Sequence, residues 1–201
     1  MKPEAHADVE ANVRRLCETG AYDLATTATL RAYGHEVLRF LCALNKSEAD
    51  ASDVFSVFAE DLWRSLAGFA WECSLRTWAY TLARRASFRT MRAKRRRATN
   101  GSPSAISNLV QKVRTETLTY LRTETKTRIR ALRDALPEED RALLMLRVDR
   151  GLAWDELARV LSEGDADTDD VALKREAARL RKRFQLLKEK LKTLAKRDGL
   201  Y

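Results

Sequence analysis

Apolar residues recur at intervals of three and four along nearly the whole chain, and no alternating strand pattern persists anywhere. With 7 Gly and 3 Pro among 201 residues, few positions break that pattern, so the chain is expected to be all-α. Residues 1 to about 20 are polar and Ala-rich with a weak helical pattern. From Leu24 to Leu44 the periodic residues are Leu30, Tyr33, Val37, Leu38, Leu41 and Leu44, and Asn45-Lys46-Ser47 ends the run. Ser47 suits an N-cap, with Asp50 three residues on. The next helix carries Val54, Phe55, Val57, Phe58, Leu62 and Trp63 as an apolar stripe flanked by Glu60 and Asp61. Ala67 to Cys73 interrupts the helical pattern, and Ser74 can cap a long helix from Leu75 to about Arg97. On that helix Leu75, Trp78, Leu82 and Ala86 share one face, while Arg76, Tyr80, Arg84 and Ser87 share another.

A composition shift divides the chain. Ala98 to about Leu109 contains Thr-Asn-Gly-Ser-Pro-Ser and reads as a linker. Residues 110–127 keep helical spacing at Leu118 and Leu121, and fit either a helix packed on one domain or a loosely ordered connector. The expected organisation is a first helical domain over 1–97, a linker over 98–127 and a second helical domain over 128–201. In the last, Leu132 and Leu136 share a face, Pro137 suits a first helical position, and Glu138, Glu139 and Asp140 suit the positive end of the helix dipole.

The second domain predicts a helix-turn-helix. Leu143 and Leu146 on one helix and Leu157, Ala158 and Leu161 on the next supply an apolar interior, and Gly151 permits a left-handed turn between them. A basic helix follows, with an apolar stripe at Leu180, Phe184, Leu187 and Leu191. Arg179, Arg181, Lys182, Arg183 and Lys188 cover its remaining surface. Such a helix fits the DNA major groove, where an arginine near its N-terminus donates two hydrogen bonds to guanine and the other cations meet phosphates. The acidic stretch from Ser162 to Asp170 before it is longer than the usual turn of this motif. By charge contrast it could fold back on the basic helix as an autoinhibitor.

A second basic segment follows a run of aromatics. Phe69, Trp71, Trp78 and Tyr80 precede Arg84, Arg85, Arg89, Arg92, Lys94 and Arg95 to Arg97. Rings beside cations suit single-stranded DNA, whose unstacked bases lie on rings while cations track the backbone. Trp78 shares a face with Leu75 and Leu82 and fits a core equally well; Phe69, Trp71 and Tyr80 are expected to be partly exposed. The net charge of +9 and pI near 9.7 agree with an acidic partner, nucleic acid before membrane.

Several classes are excluded. Cys17, Cys42 and Cys73 have no CxxC spacing and the only histidines are His6 and His35, so no zinc site assembles; reduced thiols are expected. Asp165, Asp167, Asp169 and Asp170 lack the Gly that a calcium loop needs at its sixth position. No Gly-rich phosphate loop and no nucleophile–base arrangement is present, so neither an enzyme nor a cofactor or metal is expected. No window approaches a membrane span and no signal peptide precedes the first helix, which predicts a cytoplasmic protein.

With these residues in hand, the chain resembles RNA polymerase sigma factors of the extracytoplasmic-function class. Their pattern D-x-x-Q-x-x-F-x-x-x-W resembles the run carrying Asp53, Phe58 or Leu62, and Trp63, with Ser56 where Gln is common. The pattern F-R-G-E-S-S-F-R-T-W-L-Y-x-I-A-R-N is similar to Phe69 through Arg85, and L-P-x-x-x-R-x-x-x-x-L-R-x-x-x-G-L-S-x-x-E-I-A to Leu136 through Ala158, with Ala153 where Ser or Thr would cap. The likeness covers about residues 20–97 and 128–192. It implies a domain like sigma region 2 followed by one like sigma region 4. It implies that Asp53, Phe55, Phe58, Leu62 and Trp63 bind the core polymerase. Phe69, Trp71, Arg76, Thr77, Tyr80, Arg84, Ser87 and Arg92 would open and bind the −10 element. Arg179, Arg181, Lys182, Arg183 and Lys188 would bind the −35 element. The implied partners are core RNA polymerase, double- and single-stranded promoter DNA, and an anti-sigma factor. The alternative is a free-standing helix-turn-helix regulator, against which stands the absence of a clear dimerisation helix.

Overall fold

The computed structural model describes residues 3–45, 47–94, 107–123, 132–133, 135–162 and 169–197. Every regular element among them is helical, and no strand occurs among the described residues. The chain divides into two compact units, Met1–Leu121 and Arg122–Tyr201.

The first unit is built from α1 (Pro3–Glu18), α2 (Tyr22–Leu44), α3 (Glu48–Ser65), a 3₁₀ turn (Leu66–Gly68), α4 (Leu75–Lys94) and α5 (Ser107–Thr123). Local chemistry sets their ends. Gly20, at φ +72°, closes α1 in a Schellman motif: its N–H donates to the Cys17 carbonyl at 3.0 Å and the Ala21 N–H to Leu16 at 2.9 Å. Ser47 Oγ accepts the Asp50 N–H at 3.0 Å and starts α3. The core combines Leu30, Tyr33, Val37, Leu38 and Leu41 of α2 with Val54, Phe55, Phe58 and Leu62 of α3 and Leu75, Ala79 and Ala83 of α4. Helix α4 packs on both α2 and α3.

Residues 107–123, which the sequence left between two alternatives, form α5. Val110, Val113 and Thr117 are buried on it. The sequence sets the linker at 98–127; residues 95–106 lie outside the described residues.

The second unit holds α6 (Glu138–Leu144), a π-helical turn (Met145–Asp149), α7 (Trp154–Leu161) and α8 (Asp170–Arg197). Pro137 stands at the N-cap of α6 rather than in its first turn, and its carbonyl accepts the Arg141 N–H at 3.0 Å. Gly151 has φ +69°, the left-handed turn expected of it. Leu143, Leu146, Leu157, Ala158, Leu161, Leu173, Ala177 and Leu180 are buried. Leu187 joins Leu136 and Leu144, with Phe184 and Leu191 packed beside them.

Candidate nucleic-acid interface

The aromatic loop is fixed at the start of α4. A helix begins with N–H groups that have no partner in the helix itself. Ser74 Oγ accepts the Thr77 N–H at 3.1 Å, and the carboxylate of Glu10, on α1, accepts the Leu75 N–H at 3.1 Å. Just before these caps the rings gather. Phe69 stacks on Trp78 with centroids 4.3 Å apart and planes 18° apart, and Trp71 lies 4.7 Å from Phe69. Trp71 has φ +60°, a left-handed backbone that bulky residues rarely adopt and that costs on the order of 1 kcal/mol. Neighbours hold it there, including the Arg14 guanidinium 4.6 Å over its ring. Phe69, Trp71 and Trp78 are all half-buried, so each ring keeps an accessible edge.

The structure corrects the sequence reading of α4. Thr77, Tyr80, Arg84 and Ser87, which the resemblance implied would bind the −10 element, are buried. Tyr80, expected to be partly exposed, packs edge-on against Phe40 at 5.3 Å. Ser87 Oγ donates to Asn45 at 3.4 Å, and the Arg84 guanidinium lies 4.7 Å over the Phe88 ring. Arg76 donates two hydrogen bonds to Glu36, at 2.7 and 3.0 Å, and both side chains are largely enclosed. The physical reason is enclosure: α4 lies against α2 and α3, so it buries residues beyond the single stripe a surface helix needs. Its outer face carries Phe88, Arg89, Met91 and Arg92. Arg92 was picked from the sequence; the exposed Phe88 and Met91 were missed, although Phe88 lies at i+3 from Arg85 and Met91 at i+3 from Phe88. Arg89 pairs with Asp61. Burial raises the Asp61 carboxyl above its usual range despite the Arg89 charge.

On α3, Phe55, Phe58 and Leu62 belong to the core, whereas Asp53 and Trp63 are exposed. The five residues picked there therefore divide by helical face. The Trp63 indole N–H donates to Asp23 at 2.7 Å, and Trp63 lines a cleft with Tyr22, Leu24 and Arg64.

In the second unit, Ala153 offers no side-chain acceptor at the start of α7, but the Glu156 carboxylate takes the Ala153 N–H at 2.8 Å. Half of a capping box thus survives, through Glu156. Trp154 lies between the guanidinium groups of Arg147 at 4.7 Å and Arg181 at 5.7 Å, and meets Phe184 edge-on at 5.7 Å. Arg183 faces inward: it donates to Asp140 at 2.7 Å and to Glu139 at 2.6 Å, tying α8 to α6. Burial opposes the Arg183 charge, but those hydrogen bonds outweigh it and raise its pKa. Arg179 is held by Glu176 at 2.8 Å, which raises its pKa also.

Arg181, Lys182 and Lys188 are exposed. So are Lys174 and Arg175, in the first turns of α8, which the sequence reading passed over because it did not begin the helix as early as Asp170. Lys174 pairs with Asp170 at 2.9 Å and lowers that carboxyl's pKa. Residues 163–168, the centre of the acidic stretch with its suggested autoinhibitory role, lie outside the described residues.

No disulfide joins Cys17, Cys42 and Cys73, which are half-buried; burial pushes the Cys42 thiol up to about 11. Among the described residues no group of His, Cys, Asp and Glu could hold a metal ion, and no helix is long and apolar enough to cross a membrane.

No curated protein and no solved structure shows significant similarity to the chain. Residues 29–97, which span most of α2, α3, the aromatic loop and α4, match the family model for sigma-70 region 2. That match covers about a third of the chain and supports a sigma factor's role in promoter recognition and melting.

Proposed function

We propose that the chain is a non-catalytic specificity subunit of bacterial RNA polymerase, of the extracytoplasmic-function class, that recognises both elements of a promoter. The observation that carries this reading is the ring group Phe69, Trp71 and Trp78, gathered at the start of α4 inside the matched region. Ring edges beside the Arg14 cation, with Arg92 exposed further along α4, suit unpaired bases on a phosphate backbone. In this reading Phe69 and Trp71 stack on bases of the opened −10 element, and the outer face of α4 follows the strand. Thr77, Arg76, Tyr80, Arg84 and Ser87 serve by holding α4 in place.

The stripe Asp53, Ser56, Glu60 and Trp63 on α3, exposed at Asp53 and Trp63, faces the core polymerase, with Phe55, Phe58 and Leu62 supporting it from beneath. The second unit acts as region 4. A recognition helix contacts base edges with its N-terminal residues, so Lys174, Arg175 and Arg179 of α8 approach the −35 bases. Arg181, Lys182 and Lys188 meet phosphates, and Arg183 fixes the helix. An anti-sigma factor is a further partner of this class.

The test is association of the purified chain with bacterial core polymerase, followed by run-off transcription from a promoter library. Saturable binding and new promoter-specific transcripts are expected. Retention on duplex DNA with no polymerase binding would instead establish a free-standing regulator.

A further inference from the structure

The matched region ends at residue 97, so the region 2 fold is complete before α5 begins. Yet α5 lies on that fold. Glycine in mid-helix costs about 1 kcal/mol relative to alanine, and Gly34 stands in the middle of α2. Its place is explained by α5: a Cβ there would lie 3.2 Å from the Val113 methyl and 3.5 Å from the Phe55 ring. Alongside, His35 Nδ1 shares a 2.6 Å hydrogen bond with Thr117 Oγ1, and His35 Nε2 lies 3.4 Å from Glu116. On the α3 side, Arg114 donates to Ser56 Oγ at 3.4 Å.

Ser56 is the second member of the stripe Asp53, Ser56, Glu60, Trp63, at positions i, i+3, i+7 and i+10 of one helical face. That is the stripe assigned above to the polymerase. The docking surface is modest: Val110 and Val113 are its buried apolar residues among those described, and its His35–Glu116 contact is about half exposed on both sides. A helix held, among the described residues, by a few buried contacts opens at low free energy.

We propose that α5 is a displaceable cover on the α2/α3 surface, which must leave before core polymerase can engage the stripe through Ser56. The proposal rests on the sigma-factor reading. Docked α5 then competes with polymerase, and the apparent affinity falls by the fraction of molecules in which α5 has left.

The experiment measures the dissociation constant of the full chain for core polymerase in wild type and in two variants. Val113→Asp places a charge against Gly34 and Phe55 and releases α5; polymerase binding is expected to tighten about tenfold. His35→Ala removes the Thr117 hydrogen bond and the half-exposed Glu116 contact, leaves the apolar core intact, and is expected to tighten binding about two- to threefold. Hydrogen exchange over 107–123 should rise in both variants while exchange over α2 and α3 stays low. Equal or weaker binding by both variants, with α5 released and wild type bound, overturns the cover and leaves the sigma-factor reading standing. If neither wild type nor variants bind polymerase, that reading falls and the cover with it.

Discussion

Arg183→Ala separates a DNA-reading role from a structural one. Arg183 joins α8 to α6 through two charged hydrogen bonds, to Asp140 at 2.7 Å and Glu139 at 2.6 Å. Asp140 is mostly enclosed, with 15% of its side chain exposed, whereas Glu139 is 51% exposed and Arg183 33%. A hydrogen bond to a charged group is worth about 1.5–3 kcal/mol when desolvated, and an exposed ion pair contributes about 0–1 kcal/mol. Screening at this exposure discounts the Asp140 arm to about 1 kcal/mol and the Glu139 arm to about 0.3 kcal/mol. Both acids keep some benefit at the positive end of α6 without their partner. The net loss is about 1 kcal/mol, or about a fivefold rise in the opening equilibrium. Hydrogen exchange measured on peptides of α6 and α8 should lose about fivefold in protection. The gap should narrow in 1 M salt. Lysine should not restore it, because one ammonium cannot reproduce the guanidinium fork. Unchanged protection combined with a large loss of −35 selectivity would refute this reasoning and return Arg183 to the DNA surface.

Three further outcomes are expected. Arg76→Ala should destabilise the first unit by about 3 kcal/mol in urea unfolding, because it leaves Glu36 enclosed without its bidentate partner; unchanged stability with lost promoter opening would make Arg76 a DNA contact. Ser74→Ala should cost about 1 kcal/mol and Ser74→Asp much less, since only the Oγ acceptor for Thr77 N–H is at stake; equal thermal midpoints would deny the cap. Tyr33 is buried, its hydroxyl has no hydrogen-bond partner among the described residues, and burial lifts its pKa from 10.0 to about 12. The folded chain therefore holds this proton between pH 10 and 12 while the unfolded chain loses it, so stability is intact below pH 10 and falls by roughly 2–3 kcal/mol as pH rises through that window. Tyr33→Phe should be neutral or slightly stabilising at pH 7 and should remove that share of the alkaline loss; unfolding curves at pH 9 and 11 decide it.

The sequence by itself determined what depends on near neighbours. The caps at Ser47 and Ser74, the left-handed turn at Gly151, and the stripes of α2, α7 and α8 each rest on residues within a few positions. Spacing alone therefore recovers the helices and their apolar faces. The aromatic loop was legible for the same reason, since Phe69, Trp71 and Trp78 lie close together in the chain.

Tertiary structure decided which polar residues face solvent. Arg76 reads as a DNA contact until Glu36, 40 residues away, is brought beside it. Arg183 reads likewise until Asp140, 43 residues away, arrives. Tyr80 shares a helical face with cations, but Phe40 covers it. Gly34 looks like a weak point in α2 until Val113 of α5 comes against it. Periodicity specifies one buried face per helix, and a helix such as α4, lying against two others, buries more than periodicity can announce. Long-range pairings cost no local signal, so only the folded arrangement separates cations that hold the protein together from those left to meet nucleic acid.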